Sequence, residues 1–161
     1  MSAVDPAAVK IAEADLADPA DGAAVVACLA SYAADPMGGG VELSREVRER
    51  LVPGLRAAAV RVWLARSGPQ PLGICTVQLG YATFAARPRW NVHDLAVMPH
   101  ARGIGVGRRL LEVVIAAARE AGCGAISLEV RQDNAPARAL YRSLGFSAGD
   151  APMDFWVCPL E

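Results

Sequence analysis

One stretch constrains this chain more than any other: Val97-Met98-Pro99-His100-Ala101-Arg102-Gly103-Ile104-Gly105-Val106-Gly107-Arg108-Arg109. The run Asn91 to Val97 enters it with the alternation of a β-strand. Val106 to Ala121 leaves it as a helix, with Val106, Leu110, Val113, Val114, Ala117 and Ala121 on one face. A helix start has unpaired N–H groups and partial positive charge. Glycines at 103, 105 and 107 let a phosphate approach those groups with no Cβ in the way. Arg102, Arg108 and Arg109 add full positive charges. Strand, glycine turn and helix together predict a pyrophosphate site.

The rest of the chain reads as layers around that unit. At 161 residues and 53% hydrophobic it can bury a full core, and it is read as one domain over 1–161. Helices are expected over Asp18 to Ala34, with Asp21 as a cap, and over Ser44 to Leu55, with Pro53 kinking or ending the second. Strands are expected at Lys10 to Asp15, Val60 to Ala65, Pro71 to Leu79, Asn91 to Val97, Ala125 to Val130 and Met153 to Cys158. Asn134 caps a short helix to Leu144, with Ala137, Leu140, Tyr141 and Leu144 on one face and Gly145 as the stop. Alternating helices and strands give an α/β (α+β) class.

Composition excludes several functions. A net charge of −1 supplies no electrostatic drive toward nucleic acid or an anionic membrane, so neither is expected as a partner. No apolar run reaches membrane-span length, and the first residues lack the pattern of a secretory signal. Cys28, Cys75, Cys123 and Cys158 lie far apart and there are only two histidines, so no metal site is expected. The expected location is the cytoplasm, with reduced thiols.

The nucleotide class follows from what the glycine turn lacks. A P-loop needs GxxxxGK[ST], and the Lys-Ser/Thr pair is absent. A dinucleotide fold needs GxGxxG, and the spacing of Gly103, Gly105 and Gly107 differs. Arg102-x-x-Gly105-x-Gly107 instead resembles the (Gln/Arg)-x-x-Gly-x-(Gly/Ala) signature of the GNAT N-acetyltransferases, whose turn holds the coenzyme A diphosphate. Leu95-Ala96-Val97 followed by Pro99 resembles the strand whose backbone pairs with the pantetheine arm. Asn134-x-x-Ala137-x-x-Leu140-Tyr141-x-x-x-Gly145-Phe146 resembles the C-terminal signature of the same family. The likeness runs from about Val60 to Phe146 and is weaker over the first helices. It implies a mixed, twisted sheet of six or seven strands splayed into a V, with helices on both faces. Acetyl-CoA would enter one side and an amine the other.

The resemblance also assigns residues. Leu95, Ala96, Val97, Arg102, Gly103, Ile104, Gly105, Val106, Gly107, Arg108, Asn134 and Tyr141 would bind the cofactor, Asn134 through the pantetheine arm. Tyr141 matches the family tyrosine near the coenzyme sulfur and would protonate the departing thiolate. His93 stands where serotonin N-acetyltransferases have a catalytic histidine and polyamine acetyltransferases a glutamate. An amine is protonated near neutral pH, and an imidazole with a reference pKa of ~6.5 suits the uptake of its proton. Each assignment has a plainer counterpart. Tyr141 also suits the apolar face of its helix, Asn134 a simple cap, and His93 a hydrogen bond within the sheet.

Strand alternation places Asn91, His93 and Leu95 on one face and Asp94 on the other, where it is read as structural. Cys28, Cys75 and Cys158 are expected as small core residues, Trp63, Trp90 and Trp156 as core or interface aromatics, and His100 at the surface. The expected activity is acetyl transfer from acetyl-CoA to a primary amine, of a small molecule above all, by direct attack in a ternary complex. A protein or peptide acceptor, a non-catalytic acyl-CoA sensor and a nucleotide-binding regulatory module are the competing classes. The last strand, with Phe155 and Trp156, could pair across a homodimer or finish a monomer's sheet.

Overall fold

The computed structural model describes residues 4–149 and 153–160. By contact density the chain divides after Glu129 into two compact units. The first holds β1 (Lys10–Glu13), α1 (Pro19–Ala34), α2 (Arg45–Ala57), β2 (Arg61–Ser67), β3 (Gln70–Ala82), β4 (Arg87–Val97), α3 (Val106–Glu120) and β5 (Ala125–Leu128). The second holds α4 (Ala135–Ser143).

The strands lie in the order β1-β2-β3-β4-β5, antiparallel except for the parallel β4–β5 pair. The sheet is therefore mixed, as expected, but has five strands among the described residues rather than six or seven. Met153 to Cys158 forms no strand. Its apolar alternation meets no hydrogen-bonding ladder there, and Phe155 and Trp156 stand exposed rather than in a core. Cys158 is likewise exposed.

Helices cover both faces. Val25, Cys28 and Leu29 of α1 pack with Val62, Leu64, Ile74 and Ala96 on one side, with Leu51, Val52 and Leu55 of α2 at the margin. On the other side α3 lies against β3 at Gly73, where a Cβ would come within 2.8 Å of the Ala96 carbonyl oxygen and 3.1 Å of Val106. Glycine permits that close approach. The helix starts follow cap chemistry. Asp18, not Asp21, caps α1, and Ser44 caps α2 by accepting from Val47 N at 3.2 Å. Asp21 instead accepts from Asp15 N at 2.7 Å and pairs with Arg66 at 2.8 Å. Pro53 sits inside α2 without ending it, and the helix runs on to Ala57.

Two irregularities in β4 position the candidate site. Thr76 of β3 faces Asp94 and Val77 faces Val92, so His93 is the extra residue of a β-bulge. On its other side, β4 pairs with β5 only from Arg89 to Val92. From Asp94 to Val97 it has a ladder partner in β3 alone, and that edge is open among the described residues.

Candidate active site

The glycine turn has the geometry of an anion cradle. Gly103 and Gly105 are left-handed, with φ of 81° and 84°, and a Cβ at either would meet nothing within 4 Å. The first helical bond of α3 runs from Arg109 N to Gly105 O at 3.1 Å. Before it, the amides of Gly103, Ile104, Gly105, Val106 and Gly107 make no hydrogen bond among the described residues. They form a run of open donors at the positive end of the α3 dipole. The helix is held rigidly behind them, since Val106, Leu110, Leu111, Val114 and Ala118 are all buried.

The three arginines differ. Arg109 points away from the turn: its guanidinium donates to Pro6 O and Val9 O, both at 2.8 Å, and ties down the N-terminal segment. Arg108 lies 3.7 Å from Glu112. Arg102 donates through Nε to Val97 O at 3.3 Å and through Nη2 to Asp35 Oδ2 at 2.7 Å. Hydrogen bonds from Met37 N and then from Arg102 hold the Asp35 carboxyl below its ordinary range.

The bulge corrects the expected side-chain alternation. Asp94 pairs with Thr76 and Asn91 with Gln78, two positions apart on β3, so Asn91 and Asp94 share a face. Leu95, opposite Cys75, turns to the α3 side with Val92, and His93 stands exposed at the extra position. The expected grouping of Asn91, His93 and Leu95 therefore does not occur. The sequence carried a signal for this: two polar residues in succession, His93 and Asp94, interrupt the period of two between Val92 and Leu95.

Asp94 is firmly held. Its Oδ2 accepts from Thr76 Oγ1 at 2.5 Å, and its N–H donates to the same hydroxyl at 3.0 Å. Thr76 is the one buried polar residue among the described residues. On the same face, Asn91 Nδ2 donates to both Glu129 oxygens at 3.1 Å and to Ser127 Oγ at 3.2 Å. Sequence reasoning missed Glu129 and Asp35. Their partners lie 38 and 67 residues away, and no local pattern links them.

In the second unit, Asn134 caps α4, accepting from Ala137 N at 3.2 Å. Tyr141 lies on the helix with its ring 5.9 Å from that of Phe146. His100 Nε2 lies 3.0 Å from Gln70 Nε2. Burial pushes the Cys28 thiol up to about 11 and the Cys75 thiol up to about 12, so both are neutral core groups rather than nucleophiles. Among the described residues no group of His, Cys, Asp and Glu could hold a metal, and no helix is long and apolar enough to cross a membrane. Open clefts of about 520 and 750 Å³ flank α2, and neither is lined by His93 or the glycine turn.

Comparisons with known proteins give the family and the fold. The chain is 44% identical over 73 residues to the N-alpha-acetyltransferase RimI of Mycobacterium tuberculosis, a match covering 42% of this chain and 44% of that protein. It is 44% identical over 59 residues to the streptothricin acetyltransferase of Streptomyces lavendulae, covering 37% and 31%. The matches thus span less than half the length of either relative. In fold, it superposes on an aminoglycoside acetyltransferase from an uncultured soil metagenomic sample, solved with sisomicin. That likeness has a TM-score of 0.78 at 17% identity and covers 94% of this chain and 97% of the other. The model of the acetyltransferase (GNAT) family matches residues 27–146, a span that takes in α2, the whole of β2 to β5, the glycine turn and α4. With the cradle, the open edge of β4 and a family match over most of its length, this chain belongs to the acetyltransferase (GNAT) family.

Proposed function

We propose that this chain is an acetyl-CoA-dependent N-acetyltransferase that acts on a primary amine by direct attack within a ternary complex. The observation that carries the reading is the run of open amides from Gly103 to Gly107 beside the open edge of β4. Those amides, with Arg102 and Arg108 nearby, suit a diphosphate. The backbone of Leu95, Ala96 and Val97, unpaired on one side, suits an extended pantetheine arm. The likeness of the Asn134 motif to the family signature is what brings Asn134 into the proposal as a further hydrogen-bonding group. When bound, acetyl-CoA supplies an activated thioester carbonyl and a thiolate leaving group.

The chain's own residues move the protons. His93, exposed on the bulge, takes the proton that the acceptor ammonium must lose before its nitrogen can attack. As the acceptor nitrogen bonds to the acetyl carbon the C–S bond would break, the Tyr141 hydroxyl would give its proton to the departing sulfur, and the second proton that the nitrogen sheds on becoming an amide would restore the Tyr141 hydroxyl. Burial and raised thiols count against Cys28 and Cys75 as acyl carriers, which supports direct transfer.

The acceptor is read as a small molecule, supported by the streptothricin and aminoglycoside acetyltransferases among the similar proteins. The match to RimI favours a second reading, a peptide N-terminus as acceptor. A single acetyltransferase domain at work in the cytoplasm completes the proposal. The span of the family model, which crosses the division at Glu129, supports the single domain.

Thermal unfolding tests the donor. Acetyl-CoA at about 100 times its Kd stabilises the native state by about 2.7 kcal/mol, whereas ATP and NAD leave the melting temperature unmoved. Stabilisation by ATP alone would overturn the assignment. Thiol release against amino acids, polyamines, aminoglycosides and short peptides then selects the acceptor, and release with none of them would favour a sensor. With the acceptor so identified, Tyr141→Phe lowers kcat about 100-fold with CoA affinity nearly unchanged. An unaltered kcat would remove Tyr141 from the mechanism.

A further inference from the structure

The donor cradle has few internal ties. Its amides from Gly103 to Gly107 bond nothing among the described residues, and Arg102 N reaches Pro99 O only at 3.5 Å. Two left-handed glycines leave its backbone free to take other conformations. A turn of that kind loses freedom when it grips an anion, and affinity falls by that cost unless something sets the turn beforehand.

The side chain at the entry to the turn provides the setting. Arg102 spans from Val97 O, at the end of β4, to the carboxylate of Asp35, just past the end of α1. Asp35 is itself anchored on every side. Its Oδ1 accepts from Met37 N at 2.8 Å, its carbonyl accepts from Gly38 N at 2.8 Å and Gly40 N at 3.0 Å, and its N–H donates to Tyr32 O at 2.9 Å. Its side chain is 18% exposed against 54% for Arg102, so the carboxylate is the fixed partner and the guanidinium the held one.

We propose that Asp35 is a positioning residue for the donor cradle, acting through Arg102 to fix the entry of the 102–107 turn. The inference rests on the diphosphate reading of that turn. One effect opposes it: a carboxylate near an anion site repels the anion. That repulsion acts between groups open to solvent and fades at high salt, whereas a geometric restraint does not.

The difference in salt response supplies the test. CoA affinity is measured by calorimetry at about 0.1 M and about 0.5 M salt, since the Debye length shrinks severalfold toward molar salt. Asp35→Asn keeps an oxygen to accept from Met37 N and loses the ion pair. It raises the Kd for CoA about five- to tenfold at both salt concentrations, with a drop in the melting temperature of the free protein too small to account for the weaker binding. Arg102→Lys, which keeps the charge and loses the fork, raises Kd in the same direction. In an Arg102→Gln background, Asp35→Asn adds less than about twofold, because the route through Arg102 is already cut. The proposal is overturned if Asp35→Asn binds CoA equally or more tightly, if its effect vanishes at high salt, or if the effect persists in full in the Arg102→Gln background. A drop in melting temperature that accounts for the weaker binding would also overturn it, by assigning Asp35 to stability alone. A wild-type protein that binds no CoA overturns this proposal together with the functional reading, and so separates the two failures.

Discussion

Helices α2 and α3 are of similar length and both carry a charged outer face, yet they are held in different ways. α3 buries five side chains and lies against β3 at a glycine. α2 buries none completely, holds a proline in its interior and is flanked by open clefts. Steric fit therefore fixes the helix behind the anion cradle, while the helix over the opposite face rests on partial contacts from Leu51, Val52 and Leu55. On the proposed function, a cofactor of constant dimensions would rest on the first kind of support.

Paired truncations give the largest expected contrast. Leu110→Ala removes a fully buried side chain from α3 and costs about 2–5 kcal/mol of unfolding free energy, whereas Leu51→Ala on α2 costs clearly less. Equal losses in urea denaturation would erase the distinction. Next in size is the contact between α3 and β3. Gly73→Ala forces a Cβ toward the Ala96 carbonyl and Leu110, and lowers stability by about 1–3 kcal/mol. Gly54→Ala in α2, where a Cβ would meet open space, is neutral or stabilising by comparison. Loss of stability at Gly54 comparable to that at Gly73 would show α2 to be packed as tightly as α3.

The smallest effect concerns the link between the two sides. The Asp35 carboxyl is held below its ordinary value of 3.8, first by the amide of Met37 and then by Arg102. A carboxyl with a depressed folded-state pKa adds stability that is present above the unfolded value and is lost as pH falls through the folded one. The wild-type protein should therefore lose stability below about pH 4 more steeply than Asp35→Asn. Thermal melts from pH 6 to pH 3 follow this directly, and parallel acid limbs for the two proteins would remove Asp35 from the balance.

The tightly packed side was the legible one. Alternate glycines between a strand and an amphipathic helix form a local pattern with one physical use, and the cradle, α3 and the Asn134 cap all follow from neighbours in sequence. The chain is less legible where structure depends on distant partners. A strand needs a ladder, and nothing in Met153 to Cys158 says whether one is present. The partnership of Asp35 with Arg102, and of Asn91 with Glu129, arises only once the fold brings separate elements together. The bulge in β4 lies between these cases: its polar pair at 93 and 94 was visible, but a single missed beat in a short strand is easily absorbed into an alternating pattern.

That missed beat has a consequence for how such a protein can change. Because His93 is the surplus member of its strand and stands in solvent, neither the core nor the ladder depends on what side chain it carries. Replacing it shifts folding free energy by no more than about 0.5 kcal/mol, the range typical of open surface sites. The fold thus offers a vacancy where acid, base or neutral groups can be exchanged without refitting their neighbours, and new chemistry can be tried there at little structural risk.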